Sequence, residues 1–255
     1  MSQLEINDKL IEKKRFLNHR DIHDIVIGED TNIIEDWAFA GCRNLRRVTL
    51  KNRNIVIGKD VFLNCKNLKE IVVENNISLK RLLVYAFTVF DNTELRKLSL
   101  TGQNSYMEMF DKTLMNFLRQ DDLEGFSPFL AGGEEDYEEE GNCPEYYQTK
   151  RRMKKSEIIT ERMLVEGVYP VADKDREYYI TYLQTTNETY ELLISEEDLF
   201  YERFLLYDSL GLISFIRIQK LLNQMPESMI EARALLLRKK NSSDVNEDVF
   251  TLYDL

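Results

Sequence analysis

Large apolar residues return at a fixed interval in the N-terminal part of the chain. Ile34, Phe39, Cys42, Leu45, Val48 and Leu50 recur 23 positions later as Ile57, Phe62, Cys65, Leu68, Ile71 and Val73. A period of this size marks a solenoid, in which each repeat is one turn of chain and buries its apolar side only against its neighbours. Stepping back by the same interval gives a less regular first turn at Ile11, Phe16, His19, Ile22, Ile25 and Ile27. Stepping forward, the spacing slips by two positions, and Leu82, Phe87, Phe90, Leu95, Leu98 and Leu100 supply a fourth. The pattern predicts about four turns over residues 9–103, with residues 1–8 a polar lead-in.

Each unit closes on alternating apolar positions such as Val48 and Leu50, the mark of a short half-buried strand. Stacking then brings equivalent residues of successive turns to about 4.8 Å. The Ala38-Phe39 half reads as a short helix or tight turn on the convex side, with its phenylalanine inward. Five or six large apolar residues per turn, at about 1.5–3 kcal/mol for each fully buried one, offset the chain entropy only when turns stack.

The two regular turns, IEDWAFAGCRNLRRVTL (34–50) and IGKDVFLNCKNLKEIVV (57–73), resemble BspA-type leucine-rich repeats, whose pattern reads roughly I-G-x-x-A-F-x-x-C-x-x-L-x-x-I-x-I. The first turn lacks the cysteine and the Ala-Phe pair. The fourth keeps Ala86-Phe87 but has Phe90 in place of the cysteine. The resemblance implies a curved sheet used for protein binding, mostly in bacteria, and implies no reaction.

Beyond the repeats the apolar period becomes helical. ThrGlyGlnAsnSer (101–105) reads as turn chemistry and a boundary. Residues 106–130 predict two short helices around Asp121-Asp122 that cap the open end of the solenoid. Residues 131–146 form an acidic loop, six acids falling in the seven residues 134–140, and LysArgArgMetLysLys (150–155) leads into a helix as a solvated start. A helix is expected from Asp173, broken by 185–189. Another starts from a capping-box-like Ser195–Asp198. A third spans 212–225 and packs antiparallel to it across the 208–212 turn. A fourth is opened by Pro226, with Met229-Ile230 and Ala234-Leu235 inward, and the chain frays from Asn241. The fold class is therefore α/β: a leucine-rich-repeat solenoid of about four turns, 9–103, followed by an all-α C-terminal domain of unassigned type, 104–255.

Composition narrows the chemistry. At 255 residues, 43% hydrophobic and 31% charged, the chain has material for a proper core and a soluble surface. A net charge of −11 disfavours nucleic acid and anionic membranes as partners. No apolar run approaches the ~18 residues of a membrane span, and the first residues carry no secretion pattern. Three cysteines do not make a disulfide framework, so a cytoplasmic location is expected.

His19, Cys42 and Cys65 share one repeat position on three turns. Three zinc ligands are conceivable there; the plainer reading, which we adopt, is a buried ladder of small side chains, with no metal and no cofactor. The acidic loop lacks the alternating oxygens and central glycine of a calcium loop. Residues 104–255 hold no histidine, no phosphate loop and no nucleophile elbow, so no enzymatic activity is expected. The competing reading is an unrecognised catalytic activity in the helical domain. The candidate site is the outward face of the repeat strands: Arg46, Arg47 and Thr49 on the second turn, Lys69, Glu70 and Val72 on the third, Arg96, Lys97 and Ser99 on the fourth. Its five cations on an acidic chain predict an acidic protein partner on the concave face, against the alternative that exposed strand faces are charged for solubility or that the 134–140 loop docks there.

Overall fold

The computed structural model describes the backbone of residues 3–74, 79–98, 103–126 and 143–251, and the side chains of these except 103, 104 and 242–251. The chain divides into two units, 1–119 with 165–170, and 120–164 with 171–255.

The first unit is a coil of parallel strands: β1 (Gln3–Ile6), β2 (Leu10–Ile11), β3 (Asp24–Ile27), β4 (Ile33–Ile34), β5 (Arg47–Leu50), β6 (Val56–Ile57) and β7 (Glu70–Val73). The longer strands form one sheet in the order β1-β3-β5-β7, and the two-residue strands a second in the order β2-β4-β6. The registers Val48↔Ile71 and Leu50↔Val73 carry the 23-residue offset seen in the sequence. The lead-in expected at the N-terminus is instead the edge strand β1, which pairs Leu4 with Ile25 and Ile6 with Ile27. That offset is two residues short of the repeat, so the strand falls outside the 23-residue period.

Between the two sheets the chain makes a tight, non-helical turn that is itself stacked. Phe16 N–H donates to the Ala38 carbonyl at 2.8 Å, and Phe39 N–H to the Val61 carbonyl at 3.1 Å. Two positions of each turn lie in the left-handed region: Lys14, Trp37 and Asp60, then Asn18, Gly41 and Asn64. Asparagine, aspartate and glycine suit that region, and tryptophan does not. Trp37 is tied to the next turn by its ring N–H, 3.3 Å from Asp60 Oδ2, and lies 4.7 Å beneath the Lys13 ammonium. Ile11, Ile34, Phe39, Leu45, Val48 and Leu50 are fully buried between the sheets.

About three turns are built of strands. The fourth is not: after β7 the chain forms α1 (Lys80–Thr88), a 3-10 turn at Glu94–Arg96 and α2 (Gln103–Arg119). Helix α1 packs on β7, where Leu82, Leu83, Ala86 and Phe87 close the core. The two residues inserted before this segment break the strand register, and the apolar spacing of KRLLVYAF suits a helix equally well. Gln103–Ser105 already belong to α2, which is one helix of 17 residues where two were expected, and residues 121–126 are a turn. Residues 127–130 and most of the acidic loop, 131–142, lie outside the described residues.

The second unit is helical: α3 (Pro144–Leu164), α4 (Asp173–Thr185), α5 (Glu188–Ser195), α6 (Glu197–Ser209), α7 (Phe215–Gln224) and α8 (Ile230–Thr251). Four expectations are corrected. The basic run lies inside α3, not at a solvated start: Lys155 is buried and its ammonium is 2.6 Å from Asp122. Ser195 ends α5 and donates to the Leu192 carbonyl, so no capping box opens α6. Helix α7 packs mainly against α8 and also against α5, a helix that the sequence reading does not include. On α8, Ala232 and Leu236 face inward while Ile230 is exposed, and the helix continues past Asn241.

Buried polar groups of this unit engage one another. Ser156 meets Thr189 at 3.0 Å, Thr160 meets Tyr207 at 2.8 Å, and the Arg203 guanidinium donates to the Leu192 carbonyl and reaches Glu161 at 3.4 Å. Such contacts between α3, α5 and α6 fix how the helices seat, since an unpaired buried charge would be costly, and they leave only Nε of the Arg203 guanidinium without a partner.

Candidate protein-interaction face

Alternation sends one side of each long strand into the core and the other outward. In-register pairing then makes two continuous rows on the outer face: Gln3, Asp24, Arg47 and Glu70, and beside them Glu5, Val26, Thr49 and Val72. The first row is an alternating charge ladder. Arg47 binds one oxygen of Glu70 at 2.7 Å, and Lys80 of α1 binds the other at 2.7 Å. Burial by itself would raise the Glu70 carboxyl, but the hydrogen bonds from Lys80 and Arg47 outweigh it and hold the group below the ordinary carboxylate range. The second row is mostly β-branched and half-buried.

Arg46 and Lys69 precede β5 and β7, are exposed, and are linked through the main chain, Lys69 N–H donating to the Arg46 carbonyl at 2.9 Å. The structure thus gathers Arg46, Arg47, Thr49, Lys69, Glu70 and Val72. It does not bring Arg96 and Lys97 onto the same face. Arg96 sits in the 3-10 turn, is buried, and is 3.0 Å from Asp91. Lys97 pairs with Glu94 and makes an antiparallel bridge to Val56, at the edge of the smaller sheet. Ser99 lies outside the described residues. The five-cation stripe therefore reduces to Arg46, Arg47 and Lys69, with Arg47 paired to Glu70 and Lys69 also engaged. The acids Asp24 and Glu70 interleave with them, and Asp24 could have been found from the register alone.

The shared His19, Cys42 and Cys65 position resolves into a ladder for its two cysteines. Cys42 donates to the Phe16 carbonyl at 3.1 Å and Cys65 to the Phe39 carbonyl at 3.2 Å, each 26 residues back. Burial pushes the Cys42 thiol up to about 11 and the Cys65 thiol up to about 12. His19 is exposed and lies 3.5 Å from Asp21. Among the described residues, no group of three His, Cys, Asp or Glu side chains is placed to share a metal ion. A second ladder was not anticipated: Asn44 donates to the Arg20 carbonyl at 2.5 Å and Asn67 to the Arg43 carbonyl at 2.7 Å. Asparagine at the same place in CRNL and CKNL was its sequence signal.

Stacked rings, a thiol ladder and paired parallel sheets at one period agree with a further comparison: residues 3–118 match the model of the BspA type Leucine rich repeat region, in six copies. Residues 3–118 are a BspA-type leucine-rich repeat region. The match runs on through α1, the 3-10 turn and α2, so the repeat pattern persists where helices replace strands. Repeat regions of this family are typically non-catalytic, and the family suggests a protein-interaction module. No curated protein and no solved structure matches the chain. Among the described residues, no helix is long and apolar enough to cross a membrane.

Proposed function

We propose that the BspA-type region binds a partner protein on the outer face of its four-stranded sheet, through Arg46, Arg47, Thr49, Lys69, Glu70 and Val72 together with Asp24 and Val26. The observation that supports this reading is the in-register pairing, which turns isolated residues into two rows, one of alternating charge and one β-branched. A flat row of half-buried Val26, Thr49 and Val72 gives an apolar strip, and the flanking charges set the register of whatever lies on it. Because Asp24 and Glu70 interleave with the cations, the partner is of mixed charge, with an acid over Arg46, and not simply acidic.

Charge reversal at Arg46 tests it. Arg46 is exposed, so the melting temperature should hold. Capture of the partner from native lysate should fall sharply for the variant. Undiminished capture would reject the face as the binding site. Arg96 is unsuitable for such a test, since reversing a buried, ion-paired arginine would unfold the 3-10 turn.

A further inference from the structure

The helical unit carries a second surface, unrelated to the sheet. Phe200 and Tyr201 of α6 and Leu235 of α8 line a cavity of about 380 Å³, with Glu197, Glu231 and Arg238 in its wall. Farther along, Asp208 of α6 pairs with Lys239 of α8 at 2.7 Å, so the two helices run in the same sense along a groove. The apolar lining extends beyond the cavity on α6 by helical spacing, where Leu205 lies one turn after Tyr201. Tyr201 is 63% exposed and Leu205 49%. Scattered single apolar residues on a surface need no explanation; a strip shared by two adjacent helices does.

The charges around the strip are ordered. Along α8 come Glu231, Leu235 and Arg238, and Glu197, at the start of α6, belongs to the same cavity wall. Neither Glu197 nor Glu231 has a hydrogen bond or ion pair among the described residues. The cavity therefore offers two unengaged carboxylates at one end, an aromatic and aliphatic floor, and a guanidinium at the other. Its volume suits one or two large side chains, and the groove width left by two packed helices suits a third.

We propose that this groove binds an amphipathic helix of a partner protein, with its leucine or aromatic anchors over Tyr201 and Leu235 and a lysine or arginine beside them at the Glu197–Glu231 end. The charge order on the groove sets the polarity of the guest: basic toward the start of α6, acidic toward Arg238.

The test uses the full chain and a labelled synthetic helix of about four turns, roughly 14 residues. Leucines stand at i, i+3, i+4 and i+7 and lysines flank them; a second peptide replaces lysine by glutamate. Binding is read by fluorescence anisotropy and by amide shifts. The lysine peptide should bind and shift Tyr201, Leu205 and Leu235. Glu197→Gln with Glu231→Gln should weaken it by about fivefold, and Tyr201→Ala by about tenfold. Asp173→Asn with Glu177→Gln on α4, an equal change of charge, should leave it unaltered. Equal weakening by the two charge pairs would overturn the proposal by showing general attraction to an acidic protein. So would equal binding of the glutamate peptide, shifts confined to other residues, or binding of the lysine peptide that persists in Tyr201→Ala.

Discussion

The ring of Phe39 lies on that of Phe62 at 5.9 Å with an interplanar angle of 11°, and on the other side stacks on Phe16 at 5.1 Å, parallel. Phe39 is thus an interior rung and Phe16, half-buried, an outer one. Phe39→Ala should cost about 3–5 kcal/mol, the usual range for emptying a phenylalanine site in a packed core. Phe16→Ala should cost clearly less. Urea denaturation of the two variants checks the order; equal costs would mean that the rungs do not support one another.

Left-handed backbone at Asn64 and Gly41 makes opposite demands on substitution. Asn64→Gly should be neutral or slightly stabilising, whereas Asn64→Ala should lose about 1 kcal/mol, the strain of an ordinary residue with positive φ. Gly41→Ala should lose at least as much, because its new methyl would also meet the Asn18 side chain. Thermal melts of the three variants measure this directly.

Thiol reactivity reports the cysteine ladder. Cys42 and Cys65 are buried donors whose raised values keep them protonated at neutral and mildly alkaline pH, while Cys143 is only partly covered. A disulfide reagent at pH 8 should modify Cys143 promptly and reach the other two only as the repeat region unfolds. Modification of all three at one rate would contradict the ladder.

Much of this region was legible because period and packing are the same fact. Phe39 and Phe62, Leu45 and Leu68, Val48 and Ile71 each occupy one place in the coil, so a count along the chain was a statement about space. Strand β1 was missed because its unit is two residues short, and the fourth turn was misjudged because apolar spacing in 80–90 fits helix and strand alike. The site was harder to read. Outward residues follow alternation correctly at Arg47, Thr49, Glu70 and Val72, but which charges neutralise one another depends on cross-strand neighbours and on Lys80 of α1. No spacing rule supplies that contact. In the helical unit, Lys155 and Arg203 were unreadable as buried because their partners, Asp122, Glu161 and the Leu192 carbonyl, are remote in sequence.

Acid should weaken the contribution of Glu70. Its carboxyl is held below the ordinary range by Lys80 and Arg47, so the folded state favours its ionised form. The stabilisation is fully present above the unfolded value, about 4.3 for glutamate, and is lost as pH falls through the lower folded value. Glu70→Gln should therefore melt below the wild type at pH 7. The gap should close under strong acid. A gap independent of pH would mean that the pairing adds nothing.

The most direct test of the account places a photo-crosslinker at Thr49, in the centre of the outer face, and for comparison at Ile33, exposed on the smaller sheet. Illumination in native lysate should trap one protein from Thr49 and leave Ile33 bare. Trapping from Ile33 and not from Thr49 would contradict the claim that the four-stranded sheet is the binding face.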